Sequence, residues 1–418
     1  MANYVAVLFL LLSTQCFLSA HCRHLPSNQG AIGDVFDVLN YGAAGDGHTD
    51  DTQAFKDAWK ATCKSSSSSP TMHVPHDKSF KLQPLTFSGE ICKSNSITFQ
   101  IDGHLVAPRD PHAWNTCDGS KCRQWIQFKK FGGLFIRGVG SINGQGSNWW
   151  KLSCKHDKIV CGKKPTGLVV ANSNNVHIDD LTFEDSPQMH IAFERSTNIE
   201  ATNLTIMAPG NSPNTDGIHI QHSSNVSIAH SIISTGDDCV SIGDGSSHLN
   251  ITNIFCGPGH GISIGSLGMK GRNEKVEFVH VNNVSFTETQ NGVRIKTWQG
   301  GKGYARHIVF ENIIFQGSYN PIVIDQYYCP HKHCKNKTLA VKISDVTYNH
   351  ILGTSNGETA VAFSCSTSTP CKNIIMKDIH LGHVKPEKKT SSYCSNVRGT
   401  ADPGVFPKVS CLQVDENV

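Results

Sequence analysis

The chain has 418 residues, of which 38% are hydrophobic and 17% charged. That is polar for one large core, but the plentiful Gly, Ser, Thr and Asn suit many short strands joined by turns. A net charge of only +3, with no long basic block, points away from nucleic acid while tolerating an acidic polymer.

Val5 to Leu12 is an unbroken apolar run, too short to span a bilayer, and Ser19-Ala20 offers a small-residue cleavage site. Residues 1–20 therefore read as a secretory signal, and no later segment is long and apolar enough to serve as a membrane anchor. Residues 21–34 read as a loop, and residues 35–418 as one folded domain. Cysteine usage agrees with export. Beyond Cys16 and Cys22, the Cys residues fall into close pairs: Cys63/Cys92, Cys117/Cys122, Cys154/Cys161, Cys239/Cys256, Cys329/Cys334, Cys365/Cys371 and Cys394/Cys411. Local disulfides are the expectation. Sequons at Asn203, Asn225, Asn250, Asn283 and Asn336 suit an exported surface.

Tyr41 to His48 is rich in turn residues, and its glycines complete no phosphate-binding fingerprint. Thr49 to Cys63 predicts one amphipathic helix. Thr49, Asp50 and Asp51 are its N-cap candidates, and Ala54, Phe55, Ala58, Trp59 and Thr62 lie at helical spacing. From about Ser94 the pattern changes to short β-rich segments. Asn175-Val-His-Ile178 precedes Leu181-Thr-Phe183, Asn225-Val-Ser-Ile228 precedes Ile232-Ile233, and Ile308-Val-Phe310 precedes Ile313-Ile-Phe315. The period is mostly 22 to 30 residues, with no helix inside the repeat. Short strands stacked turn on turn fit a parallel β-helix, with the early helix covering the open end of the column. The recurrent Asn residues either stack as ladders or serve turns.

Four polar clusters fall in consecutive repeats: Asn214-Thr-Asp216, Gly236-Asp-Asp238, Gly259-His-Gly261 and Arg294-Ile-Lys296. Asp216 and Asp238 are 22 residues apart, as are Asp238 and His260. Equal steps of one coil stack these residues, since parallel strands lie about 4.8 Å apart. The longer step to Arg294 leaves Lys270 to Glu274 as a loop. Arg294 and Lys296 share a strand face. Three close carboxylates cannot all ionise freely, so one is kept protonated as a general acid while another activates water. Two cations limit the repulsion and can hold an anionic sugar, and His260 can tune the protonation. This is the inventory of glycoside hydrolysis. The three carboxylates are expected at exposed turn edges outside the core.

Other polar features have plainer explanations. Asp50-Asp51 reads as a helix cap and Asp179-Asp180 as a solvated turn. Cys329-Pro-His-Lys-His-Cys334 reads as a local disulfide rather than a metal site. His219 faces outward with no assigned role.

The motifs NTD, GDDC, GHGISIGSLG and RIK, in this order and spacing, resemble the four signatures of the polygalacturonases, and of their plant branch in particular. The resemblance runs from about Val35 to Cys411. It implies an all-β, single-stranded right-handed parallel β-helix and inverting hydrolysis of α-1,4-galacturonan in pectin, with no metal or other cofactor. It implies Asp237 as general acid, Asp216 and Asp238 as the water-activating pair, and His260 as support for the acid. Arg294, Lys296 and Asn214 would bind galacturonate. Inversion rests on the resemblance, because one coil step is closer to the roughly 5 Å carboxyl spacing of retaining enzymes. One departure concerns the leaving-group subsite: Asn320 precedes Pro321-Ile-Val-Ile324 where fungal endo-acting members carry Tyr. The expected setting is the extracellular space or cell wall, where a secreted monomer acts on pectin with no nucleic-acid or membrane partner. The alternatives are another pectin-backbone hydrolase or lyase, or a silent wall-binding protein.

Overall fold

The computed structural model describes residues 33–114, 123–152, 164–330 and 334–414. The signal-like run, Cys22 and the pairs Cys117/Cys122 and Cys154/Cys161 lie outside the described residues. Every named strand pairing is parallel, and the strands form one 11-stranded and one 20-stranded sheet. Successive strands of the smaller sheet alternate in sequence with strands of the larger one, so the chain winds as a right-handed parallel β-helix. Fold class is thus as the repeats and the resemblance led us to expect.

The site is carried by the smaller sheet. Its relevant strands are β1 (Ile191–Glu194), β2 (Ile218–Gln221), β3 (Val240–Ile242), β4 (Ile262–Leu267), β5 (Asn291–Thr297) and β6 (Asn320–Asp325). Ile218, Val240, Ile262, Val293 and Ile322 pair in register one coil after another. Each is fully buried, and together they form an aliphatic column inside the coils. The two-residue alternation of a strand sends their neighbours outward. The outward row in the same register is Ala192, His219, Ser241, Ser263, Arg294 and Val323.

The recurrent Asn residues sit at the second position of strands of the larger sheet, where the backbone turns locally. Asn198 and Asn225 hold φ of 52° and 53°, a left-handed conformation that Asn tolerates. The Asn225 amide also donates to Asn198 Oδ1 of the preceding coil at 3.1 Å. The same residues make the turn and stack as a ladder, so the two sequence readings are both satisfied.

The helix α1 spans Thr52–Lys64, beginning three residues later than expected. Asp46-Gly-His-Thr-Asp50 is instead a strand paired with Ser79–Lys81, and at its irregular middle the Asp46 carboxylate accepts from the backbone N–H groups of His48 and Thr49. Asp50 accepts from the Thr52 N–H. Asp51 turns away from the helix to accept from Ala44 and Gly45, so only part of the expected cap exists. Phe55 packs edge-on against Phe80 at 5.4 Å and Trp59 against Phe87 at 5.2 Å, closing the N-terminal end of the column. Disulfides join Cys63–Cys92, Cys239–Cys256, Cys329–Cys334, Cys365–Cys371 and Cys394–Cys411. Each matches a pair expected from sequence, and Cys329–Cys334 removes the metal alternative there. Among the described residues no helix is long and apolar enough to cross a membrane.

Candidate active site

Asp216 and Asp238 occupy equivalent places, just before β2 and β3. Each sits where the chain turns into a buried strand, which fixes the backbone and aims the carboxylate at the outward row. The Gly217 N–H donates to the Asp238 carbonyl, locking the two turns together. Gly217 is required there: a Cβ would lie 2.5 Å from the Cys239 carbonyl oxygen. The Cys239–Cys256 disulfide ties the Asp237-Asp238 turn to the coil that carries His260.

Each carboxylate is held by a serine one coil further on. Ser241 Oγ donates to Asp216 Oδ2 at 2.6 Å, and Ser263 Oγ donates to Asp238 Oδ1 at 2.7 Å. Arg294 donates through Nε to Ser263 Oγ at 3.0 Å and through a terminal nitrogen to Asp238 Oδ1 at 2.9 Å. Lys296 Nζ donates to Asp238 Oδ2 at 2.9 Å. Asp238 is therefore enclosed by two cations and a hydroxyl. Asp237 projects beside them: its Oδ1 lies 3.1 Å from His260 Nδ1 and accepts the Asp238 N–H at 2.8 Å. Its Oδ2 accepts from the Asn214 amide at 3.3 Å.

All seven residues singled out from sequence thus converge: six are joined by hydrogen bonds, and Asp216 meets them through the Gly217–Asp238 backbone contact and the charges of Asp237, Asp238 and Lys296. Their exposure differs from expectation. Asp216 is 8% and Asp238 2% exposed, so these are buried groups rather than turn-edge ones. The burial follows from the outward row, whose side chains lean over the turns. The longer coil before Arg294 takes up its extra length in a short helical turn, Met269–Gly271. Arg294 and Lys296 do share a face, and its main occupant is Asp238.

Protonation separates the carboxyls. Burial pushes Asp216 up, the charges of Asp237 and Asp238 push it further, and Ser241 and Lys296 only partly oppose them; the result is about 7. Burial also raises Asp237, but the hydrogen bond and charge of His260 and the Asp238 N–H outweigh it and hold this carboxyl below its ordinary value. Asp237, Asp238 and His260 bring donor atoms within 4.8 Å of one another, the arrangement a metal would need. However, both Asp238 oxygens already serve Arg294 and Lys296, and a third cation beside these two would be repelled. The donor set suits proton transfer better than metal binding.

Sequence reasoning missed several residues. Ser241 and Ser263 were visible only as strand residues; their equal offset from successive Asp residues was the available signal. His190 is 1% exposed, and its Nδ1 lies 3.2 Å from the Asp216 carbonyl oxygen; burial lowers its pKa to about 4. His219 Nδ1 lies 2.8 Å from Ser241 Oγ. Lys296 Nζ lies 5.6 Å from the centre of the Tyr328 ring. Asn320 donates to the Gln290 carbonyl and to Asn291 Oδ1 at 3.2 and 3.3 Å, and Asn291 in turn donates to the His260 carbonyl. Asn320 therefore supports the His260 turn.

The family described as Glycosyl hydrolases family 28 matches residues 63–411. Over 362 residues the chain is 44% identical to a polygalacturonase of Persea americana, covering 86% of this chain and 76% of that protein. It is 42% identical over 412 residues to polygalacturonase-2 of Solanum lycopersicum, covering 96% and 88%. The solved polygalacturonase from Erwinia carotovora ssp. carotovora matches with a TM-score of 0.68 and 25% identity, over 84% of this chain and 93% of that one. With the fold, the site and these matches in agreement, the chain belongs to glycosyl hydrolase family 28.

Proposed function

We propose that the protein is a polygalacturonase that hydrolyses α-1,4-galacturonosidic bonds of pectin homogalacturonan by acid/base catalysis, with inversion at the anomeric carbon. The observation that carries this is the three-carboxylate cluster joined to Arg294, Lys296 and His260. Asp237 is the most accessible of the three carboxyls and donates the proton to the leaving oxygen. Asp216 and Asp238 hold and deprotonate the attacking water. Asp216 and Asp237 titrate as one unit. Activity needs the state with one proton, and turnover proceeds from the arrangement that places it on Asp237. His260 orients Asp237, and Asn214 supports its second oxygen. Arg294 and Lys296 anchor Asp238 through charge-assisted hydrogen bonds, and their remaining N–H donors face the galacturonate carboxylate.

The same reading includes export to the cell wall, with residues 1–20 as a signal and residues 35–418 as the catalytic unit, working as a monomer. The paired disulfides support an oxidising destination. A silent wall-binding role would have no use for acid, base and anion-binding groups assembled at hydrogen-bond distance. The test is product analysis on polygalacturonate. Saturated products released initially as the β-anomer support the reading. Unsaturated products would mean a lyase, and initial α-products would mean retention.

A further inference from the structure

The two serines that hold the catalytic carboxylates are themselves held by different groups. Ser263 receives Arg294 Nε–H at 3.0 Å while donating to Asp238. Ser241 donates to Asp216 at 2.6 Å, and the group at its other side is His219, whose Nδ1 is 2.8 Å away. Both contacts are between residues paired in register, but His219 lies one coil before Ser241 whereas Arg294 lies one coil after Ser263. Each serine reaches back to an Asp at the head of the preceding strand. A hydroxyl has one proton to give. Since Ser241 gives it to the Asp216 carboxylate, Ser241 Oγ must accept from His219, and Nδ1 carries a proton.

We propose that His219 is a positioning residue for the hydrolysis, acting on Asp216 through the Ser241 hydroxyl. Its Nδ1–H fixes the Ser241 rotor so that the hydroxyl points at Asp216 Oδ2. Ser241 and Ser263 are 3% and 0% exposed, so bulk water does not substitute for these donors. The contrast with Arg294 gives the device its chemical meaning. A permanent cation stands behind Ser263 and also pairs with Asp238. A neutral imidazole behind Ser241 leaves Asp216 the more basic carboxylate, which suits a group that takes a proton from water.

The surroundings of His219 support a neutral ring. Burial is the largest influence and lowers the His219 pKa. Nε2 lies 3.2 Å from Gln221 Oε1, a contact that favours a proton there; turning the amide over presents its N–H end to a neutral ring nitrogen instead. Glu194 and Asp238 favour the cation, while Lys296 opposes it. Asp244, Arg272 and Glu274 line the same cavity.

This inference rests on Asp216 being a water-activating base. The experiment measures kcat, KM and the pH profile on polygalacturonate for full-length Asp216→Asn, Ser241→Ala, His219→Leu and His219→Asn, with thermal unfolding as a folding control. Asn places an amide donor near the position of Nδ1. His219→Leu is expected to lose up to about tenfold in kcat, the upper scale of one neutral hydrogen bond, with KM within about twofold. Its alkaline limb should move to higher pH, in the same direction as Ser241→Ala, because a less supported Asp216 holds its proton longer. His219→Asn should recover most of kcat. An unchanged pH profile in His219→Leu, a KM-only effect, or an Asn variant as impaired as the Leu variant would each overturn the proposal. If Asp216→Asn is severely impaired while His219→Leu is normal, this inference alone fails. A normal Asp216→Asn would overturn the base assignment, and with it the role given to His219.

Discussion

His260 faces Asp237 across one coil, with Nδ1 3.1 Å from Oδ1, and the His260 N–H also donates to the Asp237 carbonyl at 2.8 Å. Backbone and side chain of one turn thus grip those of the turn before. Because this contact helps hold the Asp237 carboxyl low, it bears on when that group carries its proton. His260→Asn should fold normally and lose about 10- to 100-fold in kcat, toward the lower range for positioned acid–base groups. Asp237→Asn should lose more, about 10²–10⁴-fold. Steady-state turnover with a circular dichroism control checks both, and a folded, near-normal Asp237→Asn would remove Asp237 as the acid.

On the proposed reading Arg294 and Lys296 both hold Asp238 and read the substrate carboxylate, so their replacement should not act on substrate recognition alone. Asp238 is 2% exposed, and removing one partner from a buried ion pair typically costs about 3–5 kcal/mol. Lys296→Met should therefore lower thermal stability and reduce turnover on free polygalacturonate and on a fully esterified analogue. The loss should be larger on the free acid, by the share that belongs to carboxylate reading. Equal losses on both substrates would confine Lys296 to supporting Asp238.

Among the carboxylates, Asp216→Asn and Asp238→Asn should each reduce turnover by orders of magnitude, with the double variant far from additive. Asp238→Asn should also lower the unfolding temperature, since Arg294 and Lys296 lose their charged partner. Asp179 and Asp180 belong to the larger sheet and its corner, where Asp180 accepts from Asn203 at 3.1 Å. Their Asn variants should be nearly silent in turnover, and a large loss at either would mean that the site extends to that sheet.

Asp216 also links stability to pH. Its folded pKa, about 7, is raised above the ordinary value of 3.8. The contribution is therefore fully present below about pH 4 and is lost as pH rises toward 7. Asp237 runs the other way, being lowered, and its contribution is lost as pH falls below the ordinary Asp range. Denaturant midpoints measured from pH 4 to 7 should decline as Asp216 ionises, and Asp216→Asn should flatten that decline. A slope unchanged in the variant would rule out a raised pKa at this position.

Much of the architecture was legible in the chain itself. Alternating apolar residues at a recurring period specify strands that can bury one face only by stacking on the next coil. Equal 22-residue steps then bring Asp216, Asp238 and His260 together, because one turn of the column advances by one strand spacing. Paired Cys residues close in sequence could bridge only locally. What the tertiary structure alone decided is which groups share protons and charge. Side chains on the outward row lean across coils, so Ser241 and Ser263 meet Asp residues 25 positions earlier. Arg294 and Lys296 meet Asp238 at separations of 56 and 58. Burial of those carboxylates, and hence the division between a basic Asp216 and an anchored Asp238, depends on polar atoms brought within hydrogen-bond distance by several coils at once. No spacing within a single repeat encodes that.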